Sequence, residues 1–365
     1  MTTSSTTTRT TTPSPTLGTP RGAMRAPGAR GPLGALVLSV LASDPDHAGD
    51  GVRASLLDAA HGALASSTDL LHDDDVQLVL FVLYELHYRR VAGVDDRWEW
   101  DPDLLRARAV LEDAFERVLR ERVELPADVA ADRRAVADTL FAMTAPGPGP
   151  SLARYVARRA TRAQLDELLV HRSVYQLKEA DPHTWAIPRL EGVAKAALVE
   201  IQADEYGGGV PERMHCELFA LTMRGAGLDP AFGAYVDRVP AVTLAGVNTM
   251  SLLGLHRRLR GAVAGHLAAF EMTSSLPNRL YGDGFRRHGL GEDTTWYFDE
   301  HVEADAVHEQ IAGRDLAGGL AEQEPALVPD IMFGAAVCLY LDDLVAAHVL
   351  AAWEDDRSSL RGEAA

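Results

Sequence analysis

The chain has 365 residues, of which 47% are hydrophobic and 24% charged, and its formal net charge is −18. The first 43 residues contain four arginines and no acidic residue, so the rest of the chain carries −22. This length allows two or three domains, and the acidic body argues against nucleic-acid binding, which needs a basic surface.

The beginning of the chain and its two cysteines indicate the compartment. Residues 1–32 are rich in Thr, Ser, Pro and Gly, which predicts a disordered tail. The apolar run Leu33–Leu41 lacks a small-residue cleavage site, and charge interrupts the apolar runs before roughly 18 residues. Cys216 and Cys338 lie in apolar helical contexts, which predicts buried thiols rather than a disulfide. We therefore expect a cytoplasmic protein that does not associate with a membrane.

Helical periodicity dominates the chain after residue 33, and no region shows sustained β alternation. The strongest predicted helices are, in chain order, Asp75–Val91, Asp103–Val123, Ala127–Met143, Leu152–Lys178, Ile187–Tyr206, Pro211–Met223, Pro240–Met272, Thr294–Ala312 and Leu327–Trp353. Alternating Pro and Gly residues at 145–151 interrupt this pattern, because neither residue sustains a helix. We predict an all-α protein with a helical N-terminal region at 33–144, a helical bundle at 151–356 and a disordered tail at 357–365.

One short segment, DEHVEADAVHEQ, has a spacing typical of a metal site. His301, Asp305 and His308 are spaced i, i+4, i+7, so on a helix their side chains fall within roughly a 60° arc. A single histidine in such a helix is more often a solvated surface residue. Three metal-capable groups on one narrow face favour a metal site, which needs further ligands from elsewhere in the chain.

Other parts of the predicted bundle offer such ligands. Glu179 lies near the end of a long predicted helix; taken alone, it fits a surface position. Glu205 and His215 stand on either side of three consecutive glycines, and a turn there would bring both to one end of the bundle. Glu271 interrupts an otherwise uncharged run, and a buried carboxylate is usually paired, protonated or metal-bound.

Together these residues are four carboxylates and three imidazoles without a thiolate. Oxygen and nitrogen ligands of this kind suit iron or manganese better than a structural zinc ion, which needs only four ligands. Two divalent ions would balance the charge of four carboxylates, and ligands projecting inward from several helices are a known way to hold two metals.

With these residues in this order, the sequence resembles the heme-oxygenase-like diiron oxidases, also called iron-containing redox enzymes. The resemblance covers about 151–350 and rests on HVEADAVH, which matches the family's His-x3-Asp-x2-His helix, and on the order of the other four ligands. It implies a bundle of about seven helices that binds no heme but holds two iron ions, with Glu205 as an additional carboxylate ligand beyond the usual six.

The resemblance also implies a class of reaction. Family members use O2 to hydroxylate a nitrogen, to release a terminal alkene from a fatty acid or to cleave a carbon–carbon bond. We therefore expect a small-molecule substrate from biosynthesis and an external reductant. The additional helical region at 33–144 implies a homodimer, as in some relatives. The sequence does not identify the substrate.

Three alternatives remain open at this point. A ferritin-like diiron bundle would use Glu212 with His215 and Asp305 with His308. A thiaminase-like enzyme on the same bundle would use Cys216 as a nucleophile and no metal. A non-catalytic protein would bind metal or a partner without consuming O2.

Overall fold

The computed structural model of the protein describes residues 22–46 and 49–362, except for the side chains at positions 50, 52 and 303–306. The described part of the chain is all-α, as predicted. It contains no β-strand, and a single isolated bridge pairs Met24 with Val91.

Many of the helices are shorter than the sequence predicted. The α-helices of the described part are, in chain order, α1 (Pro32–Leu41), α2 (Asp50–Ser66), α3 (Asp74–Glu85), α4 (Pro102–Arg122), α5 (Arg133–Met143), α6 (Leu152–Arg158), α7 (Arg162–Gln176), α8 (Asp181–Thr184), α9 (Gly192–Glu205), α10 (His215–Ala226), α11 (Ala241–Leu255), α12 (Arg260–Met272), α13 (Ser275–Arg287), α14 (Glu292–Gln310), α15 (Gly319–Gln323) and α16 (Val328–Glu354). Short 3₁₀ turns connect several of them, and a π-helical segment, Ile311–Gly318, continues α14 to α15.

Two long predicted helices are divided, and five observed helices were not among the predicted ones. Between α6 and α7, Thr161 starts a new helix with a reciprocal capping box to Gln164. Between α11 and α12, the 3₁₀ turn Arg257–Leu259 redirects the chain. Helices α1, α2, α8, α13 and α15 were missing from the prediction. Hydrophobic periodicity does not reveal where one helix ends and the next begins, because polar residues such as a helix cap are not part of the apolar pattern.

Helices α12 and α16 pack closely at the centre of the bundle. A β-carbon at Gly265 would lie 1.8 Å from the Ile331 carbonyl oxygen, and one at Gly334 would lie 1.8 Å from the Ala262 carbonyl oxygen. Only glycine therefore allows the two backbones to approach so closely. This contact positions α12, whose last turn carries Glu271.

The segment Pro325–Glu354, which includes α16, is long and apolar enough to span a membrane by length and composition. In this fold it lies against α12, and Val337 and Cys338 in its middle are buried. The core helix of a globular bundle meets the same criterion, so the segment is weak evidence for a membrane span.

The N-terminal region packs onto the bundle through α3. Ten consecutive residues, Val76–Glu85, are buried, and α3 lies against α11. Asn248 of α11 donates a hydrogen bond to the carbonyl oxygen of Gln77 (2.8 Å). The two regions thus share one hydrophobic core, and the domain boundary at 145–151 stays a prediction.

Parts of both predicted tails are ordered against the bundle. Met24 is fully buried, and its backbone N–H donates to the Arg90 carbonyl oxygen (3.1 Å). At the other end, Ser359 is buried and its hydroxyl donates to Glu167 (2.6 Å). Burial and hydrogen bonding therefore correct the prediction of disorder at these positions, whose composition alone suggested a tail. The first 21 and last three residues lie outside the described part.

Candidate metal centre

Six of the seven predicted ligand residues lie together inside the bundle and form two groups that share a carboxylate. The first group is Glu179, Glu205, His215 and His301, and the second is Glu205, Glu271 and His308. Within each group, ligand-type atoms from every residue lie within 4.8 Å of one another, and all six side chains are buried. The seventh residue, Asp305, belongs to α14, but its side chain lies outside the described residues.

Glu179 lies in a turn rather than on the helix that the sequence predicted. Helix α7 ends at Gln176, and the chain turns through Ala180, whose φ of 73° is in the left-handed region. The carboxylate accepts a hydrogen bond at Oε1 from the Tyr297 hydroxyl (2.9 Å). Its other oxygen, Oε2, has no hydrogen-bond partner among the described residues.

Glu205 and His215 approach each other across the glycine loop. Glu205 ends α9, His215 begins α10, and all three glycines between them have positive φ. A β-carbon at Gly207 would lie 2.7 Å from the backbone of Arg213, so the loop can close only with glycine there. His215 Nδ1 lies 2.9 Å from Glu205 Oε2, as the predicted turn required.

The orientation of His301 is fixed by its own helix. Its Nδ1 lies 2.7 Å from the carbonyl oxygen of Tyr297, one turn earlier in α14. A carbonyl can only accept, so Nδ1 carries the proton, and Nε2 of the neutral ring is the nitrogen able to bind an ion. Nε2 is directed toward the cluster, 3.5 Å from Glu179 Oε1. Tyr297 thus holds two ligand residues, through its carbonyl and its hydroxyl.

His308 is oriented by a residue that the sequence analysis missed. Its Nε2 lies 3.1 Å from Asp204 Oδ2, which leaves Nδ1 directed toward Glu271 Oε2 at 3.5 Å. Metal-binding histidines commonly donate their second ring N–H to a carboxylate in this way. Asp204 directly precedes Glu205, and no spacing rule singles it out. Tyr297, four residues before His301, was recognisable by helical spacing.

The buried carboxylates draw positive charge into the cluster. Burial alone would raise the pKa of Glu205, but His215, His301 and His308 lower it to about 2. Burial works against a charged His308, yet Glu271 and Asp204 raise its pKa to about 9. For Glu271, burial prevails and raises the pKa. The cluster therefore favours cations. Within the chain itself, the positive charge comes from protons bound to the histidines.

The donor set fits metal ions. Among the described ion pairs, Glu179, Glu205 and Glu271 contact only histidines and no lysine or arginine. His215 Nδ1 and His308 Nδ1 lack hydrogen bonds although each faces a carboxylate. Ligands of one ion with bonds of about 2.1 Å lie about 3 Å apart, so close approach without hydrogen-bond geometry is expected at a metal site.

A narrow cavity adjoins the cluster. Its lining is Tyr175, Glu179, Ala180, His183, Gln202, Glu205, Leu267, Phe270, Glu271, Ser274 and His301. His183 Nε2 lies 3.1 Å from His266 Nδ1, and burial lowers the pKa of both rings, so they are neutral. Aromatic and aliphatic side chains such as Tyr175, Phe270 and Leu267 form part of the cavity wall beside the ligand residues.

Two residues that the alternatives need, Glu212 and Cys216, lie outside both ligand groups. Glu212 is exposed in a 3₁₀ turn before α10, so the ferritin-like pairing with His215 is not formed. Cys216 is buried. Of the neighbouring residues that could assist the ligands, Tyr175 lines the cavity, whereas the Tyr206 hydroxyl donates to Asp181 (2.9 Å).

Comparison with known proteins agrees with this geometry. Residues 166–343 match the family described as iron-containing redox enzyme. The chain is also 28% identical over 192 residues to the nitrosourea synthase of Streptomyces achromogenes subsp. streptozoticus. That alignment covers 51% of this chain and 40% of the relative, so this chain matches less than half of the relative's length.

Proposed function

Residues 166–343 belong to the iron-containing redox enzyme family, and from this premise we propose that the protein is a diiron oxidase that uses O2 to oxidise a small metabolite. The observation that carries the proposal is the pair of buried ligand groups that share Glu205, whose carboxylates form ion pairs only with histidines among the described residues. Two groups with one shared carboxylate are the arrangement expected for two bridged ions.

The residues divide between the two ions. Glu179, His215 and His301 would hold the first, with Glu205 bridging to the second. Glu271 and His308 would hold the second ion. We propose Asp305 as a further ligand from its place between the two histidines of α14. Bound iron would supply the redox chemistry with O2, with its electrons renewed by an external reductant.

The surrounding residues hold the ligands and limit what reaches them. Tyr297 holds Glu179 and His301 in place, and Asp204 directs the lone pair of His308 into the cluster. Ligand orientation of this kind strengthens metal binding. The cavity walls, with Tyr175 and Phe270, keep bulk water away from the reacting atoms.

We propose oxidation of a nitrogen atom as the reaction. The name of the related protein refers to synthesis of a nitrosourea, a product that contains an oxidised nitrogen. The substrate would then be a small amine, amidine or urea-type nitrogen compound. Desaturation and carbon–carbon cleavage, which the resemblance also implied, are the alternative outcomes.

The proposal is tested by loading and turnover of the purified protein. Anaerobic titration with Fe(II) should saturate at about two ions per chain. The loaded protein is then mixed with isotopically labelled O2 and with a panel of amines, amino acids and fatty acids. We expect it to consume O2 and to place a labelled oxygen atom on the nitrogen of one substrate. Mass spectrometry and an oxygen electrode provide the readouts.

The outcomes separate the enzyme from the non-catalytic alternative. Iron uptake without O2 consumption in the presence of every substrate class would indicate a metal-carrying protein. Failure to bind iron at all would contradict the proposal completely. The Glu212→Ala variant is the matched control, because that exposed carboxylate lies 3 residues before His215 but outside both groups.

A further inference from the structure

Gln202 of α9 carries a buried oxygen atom that no described residue satisfies. The residue is 3% exposed and lines the cavity together with Glu179 and Glu205. Gln202 and Glu205 are three residues apart in α9, so helical geometry places both on the same face. The Oε1 atom of Gln202 has no hydrogen-bond partner among the described residues. A buried acceptor without a donor is costly, and such an atom generally binds a water molecule or a ligand.

The orientation of the Gln202 amide is fixed by a backbone carbonyl group. Nε2 lies 2.9 Å from the carbonyl oxygen of Ala180 and 2.7 Å from the hydroxyl oxygen of Thr184. A carbonyl oxygen can only accept, so the nitrogen of the amide, and not its oxygen, must face Ala180. These two bonds use both N–H groups of the amide. Oε1 is therefore the polar atom that Gln202 leaves available to the cavity.

A chain of hydrogen bonds behind the amide maintains this orientation. The Tyr206 hydroxyl donates to Asp181 Oδ1 (2.9 Å) and lies 2.9 Å from the Thr184 hydroxyl. Because the carboxylate accepts the Tyr206 proton, the Tyr206 oxygen can accept from Thr184, which in turn accepts from Gln202. Arg89 holds Asp181 at 3.8 Å. The chain ends in a carboxylate, so its hydrogens are directed from Gln202 toward Asp181, and the amide keeps an acceptor on its other side.

Position distinguishes Gln202 from other buried amides. Gln77 of α3 donates to the Leu70 carbonyl oxygen (2.9 Å) and accepts at Oε1 from Asn248 Nδ2 (2.9 Å), so both of its polar ends are paired. Asn248 Oδ1 has no partner among the described residues, like Gln202 Oε1, but Asn248 does not line the cavity. Of the described residues that line the cavity, Gln202 is the one amide, and it lies among the ligand residues.

We propose that Gln202 Oε1 accepts a hydrogen bond from an N–H group of the substrate and thereby selects a nitrogen compound over a hydrocarbon chain. The identity of this ligand as the substrate rests on the proposed function above. The C–H groups of a fatty-acyl chain would leave Oε1 unpaired, whereas an amine, amidine or urea-type group supplies the missing donor. A site with a buried acceptor rejects a ligand that lacks the donor, because binding then leaves the acceptor without either water or a partner.

Equilibrium binding of matched ligands to the purified full-length protein tests this assignment without turnover. Butyramide is compared with 2-pentanone, and hexanamide with 2-heptanone, because in each pair a CH3 group replaces NH2 at nearly constant shape. Ligand-detected NMR measures the dissociation constants at millimolar concentration, in the metal-free protein and anaerobically in the Fe(II)-loaded protein. We expect the amide of at least one pair to bind about ten-fold more tightly than its ketone, the effect of one buried hydrogen bond.

Variants assign the preference to one side chain. Gln202→Met keeps the length of the side chain but removes the acceptor, so the preference for the amide should disappear. Tyr206→Phe interrupts the chain to Asp181 from outside the cavity lining and should reduce the preference only in part. Glu200→Met, at an exposed position of the same helix, should change nothing. In Gln202→Met the Ala180 carbonyl still accepts from the Thr184 backbone N–H (3.1 Å), and circular dichroism checks folding.

Other results would overturn the assignment. These are equal affinities within both pairs, no binding of any of the four compounds at millimolar concentration, or a preference that persists in Gln202→Met. Weaker iron binding in Gln202→Met with an unchanged preference would mean that Oε1 serves the metal ligands instead of the substrate. Failure of the proposed function looks different: the preference would be present and would depend on Gln202, but the protein would not load iron or consume O2.

Discussion

Lys178 and Glu179 are neighbours in the chain and both are buried, yet they belong to two different charged clusters. Lys178 forms an ion pair with Glu85 of α3, and its ammonium lies 4.3 Å from the ring centroid of Tyr88. Glu179 belongs to the candidate metal centre with Glu205 and two histidines. A single peptide bond thus separates a structural ion pair from a ligand cluster.

Unpartnered atoms do not distinguish the two clusters. Glu85 Oε2 and Glu179 Oε2 both lack a hydrogen-bond partner among the described residues. The charges do distinguish them. The ion pair joins one acid to one base, whereas the three carboxylates of the described ligand cluster form ion pairs only with histidines. The first cluster is complete within the chain, whereas the second holds more carboxylates than one base can balance and therefore favours cations.

The largest effect is expected at the shared ligand. Glu205→Ala removes a carboxylate from both groups, so iron content should fall from about two ions per chain to well below one. A colorimetric iron assay after anaerobic loading measures this, with Glu212→Ala as the control that retains full loading. Full loading of the Glu205 variant would contradict the bridging role. Loss in the Glu212 variant alone would favour the ferritin-like alternative.

Breaking the ion pair between Lys178 and Glu85 should lower the free energy of unfolding and leave iron binding unchanged. Lys178→Met leaves Glu85 buried without its partner, and we expect a loss of about 3–5 kcal/mol in unfolding free energy. The double variant Glu85→Leu with Lys178→Met should recover most of this loss and bind iron normally. Urea unfolding and iron analysis check both. A single variant as stable as the unmodified protein would show that the pair contributes little.

A smaller effect is expected at Asp204, which belongs to the ligand cluster only through His308. Asp204→Asn should weaken the binding of one iron ion by about 10–100-fold without changing the maximum stoichiometry, because it removes the carboxylate that orients the ring. Competition with a chelator of known affinity measures this change. Glu200→Gln, an exposed residue of the same helix, is the control. If the unmodified protein and both variants bound iron with equal affinity, Asp204 would have no role in metal binding.

The smallest effect contrasts His308 with a buried histidine that bonds directly to hydroxyl groups and to no carboxylate among the described residues. His171 bonds to Thr243 (2.8 Å) and Ser359 (3.0 Å), and burial, aided by His348, lowers its pKa to about 3. Its pKa in the unfolded chain is about 6.5. Below that pH, only the unfolded chain takes up this proton, so stability falls as the pH falls toward about 3.

The slope of this decline is about 1.4 kcal/mol per pH unit for one proton. Urea unfolding of the metal-free protein between pH 7 and pH 4 measures it, and His171→Gln should have a shallower pH dependence by that amount. The ligand cluster titrates in both proteins, so the difference isolates His171. Identical slopes would mean that His171 is protonated in the native state.

The sequence alone determined what is local to one helix. Apolar periodicity indicated the all-α class, and the spacing of His301 and His308 placed them on one face of α14, because helical geometry fixes side-chain directions within a few residues. Glu271 was recognisable because a carboxylate in an uncharged run needs a partner. The resemblance to the iron-containing redox enzymes came from these same residues and was confirmed by the family match over 166–343.

Only the tertiary structure decided how the helices combine these residues. It placed Glu205 in both ligand groups and set Asp204 against His308, which lies 104 positions later in the chain. Such contacts depend on turns with unusual dihedral angles, as at Ala180, and on how closely helices approach. These features depend on packing between distant segments, so the hydrophobic periodicity within one segment does not predict them.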